Sequence, residues 1–369
     1  MKIRRRDLVA PLALAAAGVL FGLLALEALA RLAAVLEERR QGRLDRDLAA
    51  IKVPDHGAVA TLGQMIVKSR DPAIVYELRP RLDVTFAGAR TTTNDAGYRG
   101  EALASENPAA RYRIVGIGDS YMFGQGVADE QTYLARLPAL LGAARPDTTF
   151  ETANLAVPGF NTSMEVALLE SRVDSLHPNL ILIEIVGNDL DLPNFLWDDQ
   201  DVWSPRQSFL LDFVRARLRG SGRPRAQTGL AEAPREGATE SGQFAREGAD
   251  RVPAKYAEMV GVEAFRRAIA RLAAVGRRQG VPVLALSHGV WFEEDLLATL
   301  ESEAIPVLIL RSALRQRARE LGAPDYARSV LAKGAGDLHP SALGHEVVAD
   351  ELAAWIELRA PGRAAGSKP

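Results

Sequence analysis

The spacing of apolar and polar positions changes several times along the 369 residues, and each change marks an element. Leu8 to Leu26, "LVAPLALAAAGVLFGLLAL", holds 19 residues without a charge, enough for one helix to cross a bilayer. From Ala28 to about Ile51, Leu29, Leu32, Leu36, Leu44, Leu48 and Ile51 trace an interrupted helical stripe, which predicts a juxtamembrane stalk. Tyr76 to Gly100 is rich in threonine, valine and aromatic residues set between turn residues, which predicts a short β-arm. From Tyr112 onward strand and helix patterns alternate. "YRIVGIG", "TTFETANLAV", "NLILIEIV", "VPVLALS" and "IPVLIL" predict five strands. The third is a near-continuous apolar run, as expected of a strand covered on both faces. Helices are predicted at "DEQTYLARLPALLG", "SMEVALLESRVDSL", the stripe Val262, Phe265, Ile269 and Leu272, "EEDLLATLESE", "SALRQRARELG" and "SALGHEVVADELAAWIELR". This alternation predicts an α/β fold, doubly wound around a mainly parallel five-stranded sheet with right-handed crossovers.

The boundaries drawn from these patterns are a cytoplasmic tip and transmembrane signal-anchor at 1–30, the stalk at 31–70, the β-arm at 71–110, the α/β domain at 111–359 and a disordered tail at 360–369. Within the domain, 219–250 has only Leu230 and Phe244 as large apolar residues. That is too little to bury, and a flexible surface insertion is expected.

Charge and composition narrow the function classes. The chain carries 45 Lys and Arg against 47 Asp and Glu, a net charge of −2. No basic excess points to nucleic acid. The absence of cysteine excludes disulfides, thiolate metal sites and a cysteine nucleophile. Lys2, Arg4, Arg5 and Arg6 precede the apolar span, while Arg31, Arg39, Arg40, Arg43 and Arg46 follow it less tightly. The tighter cluster predicts the N-terminus inside and the bulk outside. "ALA" at Ala28–Ala30 keeps open the alternative of a cleaved signal and a secreted domain.

Ligands of doubly wound sheets bind beyond the carboxyl ends of the strands. Ser120 lies there, in "VGIGDSYMFGQG" after the first strand, as does Gly159 in "AVPGFN" after the second and Asn188 in "VGNDLD" after the third. Asp337 and His339 stand in "GDLHPSALGH" before the last helix. Each motif has a structural alternative: a helix cap, a turn, a strand exit, a helix start. Together they supply a nucleophile, a base, an orienting acid and oxyanion donors.

With these residues the chain resembles the SGNH, or GDSL-type, hydrolase superfamily over about Arg111 to Arg359: "GDSY" with Ser120, "PG" with Gly159, "GND" with Asn188, and "DLH" with Asp337 and His339. "GDSYMFGQGV", the N-terminal span and the "NDAGYRG" arm look like a bacterial membrane-anchored subgroup. Tyr121 stands where the family name has leucine. Asp337 precedes the histidine by two residues, where many members place the acid three before. The resemblance implies a flavodoxin-like SGNH hydrolase fold and a covalent acyl-enzyme. His339 would take the proton of Ser120, and Asp337 would hold the imidazole tautomer. The N–H groups of Ser120 and Gly159 and the carboxamide of Asn188 would bind the oxyanion. Asp119 and Asp189 are read as loop-holding caps.

Arg99, Tyr121 and His288 are candidate substrate-binding residues, with fold-stabilising roles as the alternative. Trp197 and Trp203 either shape a pocket or pack the loop after "GND". His56, His177 and His345 are read as structural. Met122 stands where the α/β-hydrolase elbow needs its second glycine, "HEVVA" at His345 lacks the second histidine of a zinc site, and no phosphate loop occurs. No cofactor and no metal are therefore expected. The expected function is hydrolysis of an O-acyl ester on envelope carbohydrate or lipid, by a single-pass protein of the bacterial inner membrane facing the periplasm. Acyl transfer to a cell-surface glycan, or an inactive binding or assembly component, are the alternatives.

Overall fold

The computed structural model describes residues 5–48, 55–104, 111–197, 208, 210–211, 214, 230–232, 252–290, 292–334 and 336–359. The chain divides into two units, Met1–Lys52 with Trp197–Ala231, and Val53–Leu196 with Glu232–Pro369.

The first unit is built on α1 (Arg5–Leu48), so the expected span and stalk form one continuous helix. Its stretch Leu14–Ala33 is long and apolar enough to cross a membrane or to serve as a signal sequence. Its large apolar side chains, from Leu14 to Leu36, point outward. Glu27 and Arg31, one turn apart, pair at 2.8 Å. Glu27 also accepts hydrogen bonds from Ser208 Oγ and the Leu210 N–H.

In the second unit, five runs rich in branched and apolar residues form β1 (Arg111–Ile117), β2 (Thr149–Asn154), β3 (Leu180–Ile185), β4 (Val283–Ser287) and β5 (Val307–Ile309). They pair in the order β5-β4-β3-β1-β2, parallel throughout. This is the doubly wound order whose switch point lies between β1 and β3, where a crevice opens at the carboxyl edge. α2 (Ser120–Phe123) is a single turn directly after β1. α3 (Tyr133–Ala144) packs against β2 and α8 (Ala342–Arg359), while α4 (Thr162–Leu176) packs against α5 (Val262–Gln279). α6 (Glu293–Ser302) and α7 (Arg311–Glu320) flank β5 in sequence.

Pro138 inside α3 is accommodated locally. Pro138 has no N–H to give the Leu134 carbonyl one turn back. Thr152 Oγ1 on β2 donates to that carbonyl instead, at 2.9 Å. β3 is buried along its whole length, including Glu184 next to its carboxyl end.

The β-arm starts earlier than expected. Ala58–Ala60 pairs with Asp83–Phe86, and Ile66–Lys68 pairs with Tyr76–Leu78. Residues 58–60 and 66–68, assigned above to the stalk, are thus strands of the arm. Three-residue strands carry too short a pattern to read locally, and their partners lie elsewhere in the chain. Asp83–Phe86 and Ala89–Thr92 form a further antiparallel pair. The arm meets the sheet through Arg99, which bridges to Asn154 at the end of β2, and through Tyr76, whose hydroxyl donates to the Pro158 carbonyl at 3.0 Å.

Within 219–250, Leu230–Glu232 forms a strand and Leu230 is fully buried, so one of the two large apolar residues there does find cover. The rest of that expected insertion, the tail 360–369 and Trp203 lie outside the described residues.

Candidate active site

Asp119 starts the site. Its Oδ1 caps α2 by accepting the Tyr121 N–H at 2.9 Å, as its position before a helical turn suggests. Ser120, only 9% exposed, therefore stands at the first helical position, at the carboxyl edge of β1. A two-stranded hairpin of β6 (Ala332–Gly334) and β7 (Asp337–Pro340) brings the distant histidine to it. Asp337 and His339 are two apart on a strand, so their side chains share one face. His339 Nε2 lies 2.8 Å from Ser120 Oγ, although the residues are 219 positions apart. His339 Nδ1 lies 2.5 Å from Asp337 Oδ1, which also accepts the His339 N–H at 3.1 Å. Burial alone would raise the Asp337 carboxyl, but these hydrogen bonds from His339, its charge and a bond from Lys333 hold it below the usual range. An ionised acid accepts from Nδ1–H, which leaves Nε2 as the acceptor facing the serine. Ser120 Oγ has a second acceptor, Asp119 Oδ2, at 3.1 Å.

The other loops are sewn to this one. Leu155 and Val157 donate to the carbonyls of Gly116 and Gly118, at 2.9 and 3.1 Å. Asn161 caps α4 and donates from Nδ2 to the Asp191 carbonyl at 2.8 Å, tying the loop after β2 to the loop after β3. Gly159 adopts φ 77° and is buried; a Cβ there would sit 2.1 Å from Asn194 Nδ2, so only glycine fits. Asp189 closes the turn after β3 by accepting the Val186 N–H at 2.5 Å. Burial pushes the carboxyls of Asp189 and Glu165 well up. Asn188 sits on that turn, half-buried. Among the described residues, the Ser120 N–H, the Gly159 N–H and the Asn188 carboxamide have no hydrogen-bond partner.

The three candidate substrate contacts separate. Tyr121 is half-buried, with its ring 4.8 Å from that of His339 and 5.2 Å from that of His288. His288 is mostly buried, and its Nε2 pairs with Glu184 Oε1 at 2.6 Å. Arg99 is a correction: it does not face a pocket. Its guanidinium is buried beneath the Ser120 loop, bonded to Asp129 Oδ1 and to the carbonyls of Phe123, Gly124 and Val127. Burial lowers its pKa from the usual arginine value.

Sequence reasoning passed over Glu184, Asn194 and Lys333. Glu184 had a legible signal, because a lone charge within a buried strand must find a partner. Asn194 and Lys333 follow from tertiary contacts alone. His345 is fully buried, accepts the Tyr133 N–H at Nδ1 and is driven by burial to a pKa of about 3, so it stays neutral. No cluster of metal-ligating side chains occurs among the described residues.

The model of the family described as "GDSL-like Lipase/Acylhydrolase family" matches residues 117–347, which contain Ser120, Gly159, Asn188, Asp337 and His339. Among solved structures, TesA is 15% identical, with 67% of this chain and 98% of that chain covered at a TM-score of 0.39. The acetyl xylan esterase AlAXEase is 13% identical, covering 66% and 99% at 0.38. The psychrotrophic esterase EstA from Pseudoalteromonas sp. is 11% identical, covering 68% and 99% at 0.38. No curated protein matches the chain by sequence. None of these likenesses bears on the substrate.

Proposed function

Since the chain belongs to the GDSL-like lipase/acylhydrolase family and is an ester hydrolase, we propose that Ser120, His339 and Asp337 are its catalytic triad, acting on an O-acyl ester. The observation that carries this is the contact of His339 Nε2 with Ser120 Oγ at 2.8 Å. Ser120 Oγ bonds to the acyl carbon while its proton passes to Nε2. Asp337 stabilises the imidazolium that forms. The carbonyl oxygen becomes an oxyanion that the Ser120 and Gly159 N–H groups and the Asn188 carboxamide receive. Their freedom from other partners favours that role. Collapse breaks the bond to the alkoxy group, which leaves as the alcohol with the proton from His339. Water, deprotonated by His339, then attacks the acyl-serine, and the acid and free Ser120 are released. Tyr121, beside the imidazole and half-open, lines the acyl or alcohol side of the pocket.

The N-terminal helix anchors the enzyme in the bacterial inner membrane with the hydrolase unit in the periplasm. The outward apolar side chains of α1 and the basic cluster from Lys2 to Arg6 support this. The substrate is then an acyl ester of envelope carbohydrate or lipid. The test is labelling with a serine-directed fluorophosphonate, read by peptide mass spectrometry. The wild type is expected to carry the adduct on Ser120, and Ser120→Ala and His339→Ala to carry none. Equal labelling of Ser120→Ala would overturn the proposal. Turnover of an acyl donor with and without a glycan hydroxyl acceptor then measures how the acyl group divides between water and sugar.

A further inference from the structure

Asp337 offers two oxygens, and His339 uses only one of them. Oδ1 receives both the imidazole and the backbone N–H of His339. On Oδ2 lies Lys333 Nζ, at 3.3 Å, reaching across from β6 to β7. The lysine side chain is 21% exposed and the aspartate 40%, so water screens the pair and its contribution to stability is small. Its geometric consequence is larger. A carboxylate held by one oxygen rotates about its last bond, and a second contact on the other oxygen stops it.

The route taken by the lysine is specific. Its ammonium and Cε lie in the space that a side chain at Gly126 would fill: a Cβ there would sit 2.2 Å from Nζ and 2.5 Å from Cε. Gly126 closes "GDSYMFGQG", the loop that carries Ser120, and has φ 86°. Lys333 therefore lies between the nucleophile loop and the acid–histidine hairpin. The positive φ already favours glycine at 126, and the lysine occupies the space that a side chain there would need.

We propose that Lys333 is a positioning residue, which through the space left by Gly126 pins Asp337 Oδ2 and so holds Oδ1 on the His339 imidazole. The inference rests on the triad reading above and deepens it. Lys333 touches no reacting atom; it acts through Asp337. It matters here because the acid stands only two residues before the histidine, on a four-residue strand with an irregular register opposite Gly334. Such a short hairpin gives the carboxylate few neighbours of its own.

The experiment uses the full chain in detergent with p-nitrophenyl acetate as the probe. Lys333→Met is expected to lower kcat about tenfold, the scale of losing one charged hydrogen bond, with KM unchanged. In an Asp337→Ala background the same substitution is expected to cost less than about twofold, because the group it acts through is gone. The natural chain has no cysteine, so Lys333→Cys can be alkylated at that position alone. Treatment with 2-bromoethylamine restores an ammonium at nearly the lysine length and is expected to restore kcat. Treatment with 2-bromoethanol, which adds a neutral group of the same reach, is not. A full-strength kcat in Lys333→Met, an equal loss in the Asp337→Ala background, or equal recovery with both reagents overturns the proposal. Thermal melting of each variant separates lost folding from lost catalysis. Full activity in Ser120→Ala or Asp337→Ala would instead overturn the triad reading, and this inference with it. If those two variants lose most of their activity and Lys333→Met keeps the wild-type kcat, the inference about Lys333 alone fails.

Discussion

Two carboxylate–imidazole pairs flank the Tyr121 ring, and only one of them meets a hydroxyl. In the first, Asp337 and His339 are partly open, at 40% and 17% exposure, and the second imidazole nitrogen faces Ser120 Oγ. In the second, Glu184 and His288 are at 0% and 9%, and His288 Nδ1 is buried without a partner among the described residues. The chemistry of the two pairs is the same; their surroundings are not. An acid bound to an imidazole orients it, but base catalysis also needs a nucleophile on the far nitrogen and a path for the proton to leave. The buried pair lacks both, and its work is to satisfy a charge that the otherwise apolar β3 encloses.

The contrast is broken most directly by exchanging roles. His339→Gln and Ser120→Ala should each lower kcat/KM by about 10⁴-fold, while His288→Gln should stay within about threefold per folded molecule. Steady-state rates on an aryl acetate decide it, and comparable losses at both histidines would erase the distinction. Next in size is the oxyanion site. Asn188→Ala should lower kcat by about 10²–10³-fold with little change in melting temperature.

The buried pair should speak through stability. His288→Ala leaves Glu184 enclosed without its partner and should cost about 3 kcal/mol in denaturant unfolding of the hydrolase unit. Glu184→Gln, which keeps an acceptor for the imidazole, should cost less. A third histidine sharpens the comparison further, because His345 is buried with no acid at all. Its pKa of about 3 lies below the unfolded value of 6.5. The unfolded chain therefore binds the proton first as pH falls, and the stability from neutral His345 is lost between those values. From pH 6 to 5 its contribution should fall by about 1 kcal/mol. Glu165 and Asp189, raised by burial, change stability in the opposite sense. The His345 contribution is therefore the difference in pH slope between wild type and His345→Gln.

The sheet and the candidate residues at its carboxyl edge were legible because both signals are local. Strand runs end on glycine-containing turns, and those turns carry Ser120, Gly159 and Asn188. The hairpin face shared by Asp337 and His339 follows from a two-residue spacing. What was missed depends on partners far along the chain. Arg99 stands in "GYRG" like a pocket residue, yet it binds carbonyls 24 to 28 positions later. Lys333 gains meaning only when the hairpin closes beside Gly126. The arm's first strands, three residues each, pair with segments whose existence no local period reveals.

The grip of Arg99 on the Ser120 loop also bears on where the enzyme can be cut. The family match begins at residue 117, and a soluble fragment started near there would look complete by homology. It would lack the guanidinium that ties down the carbonyls of Phe123, Gly124 and Val127, and the serine turn would lose its floor. A fragment that keeps Arg99 together with the whole arm starts ahead of Gly57, whose N–H already bonds to the Asp83 carbonyl.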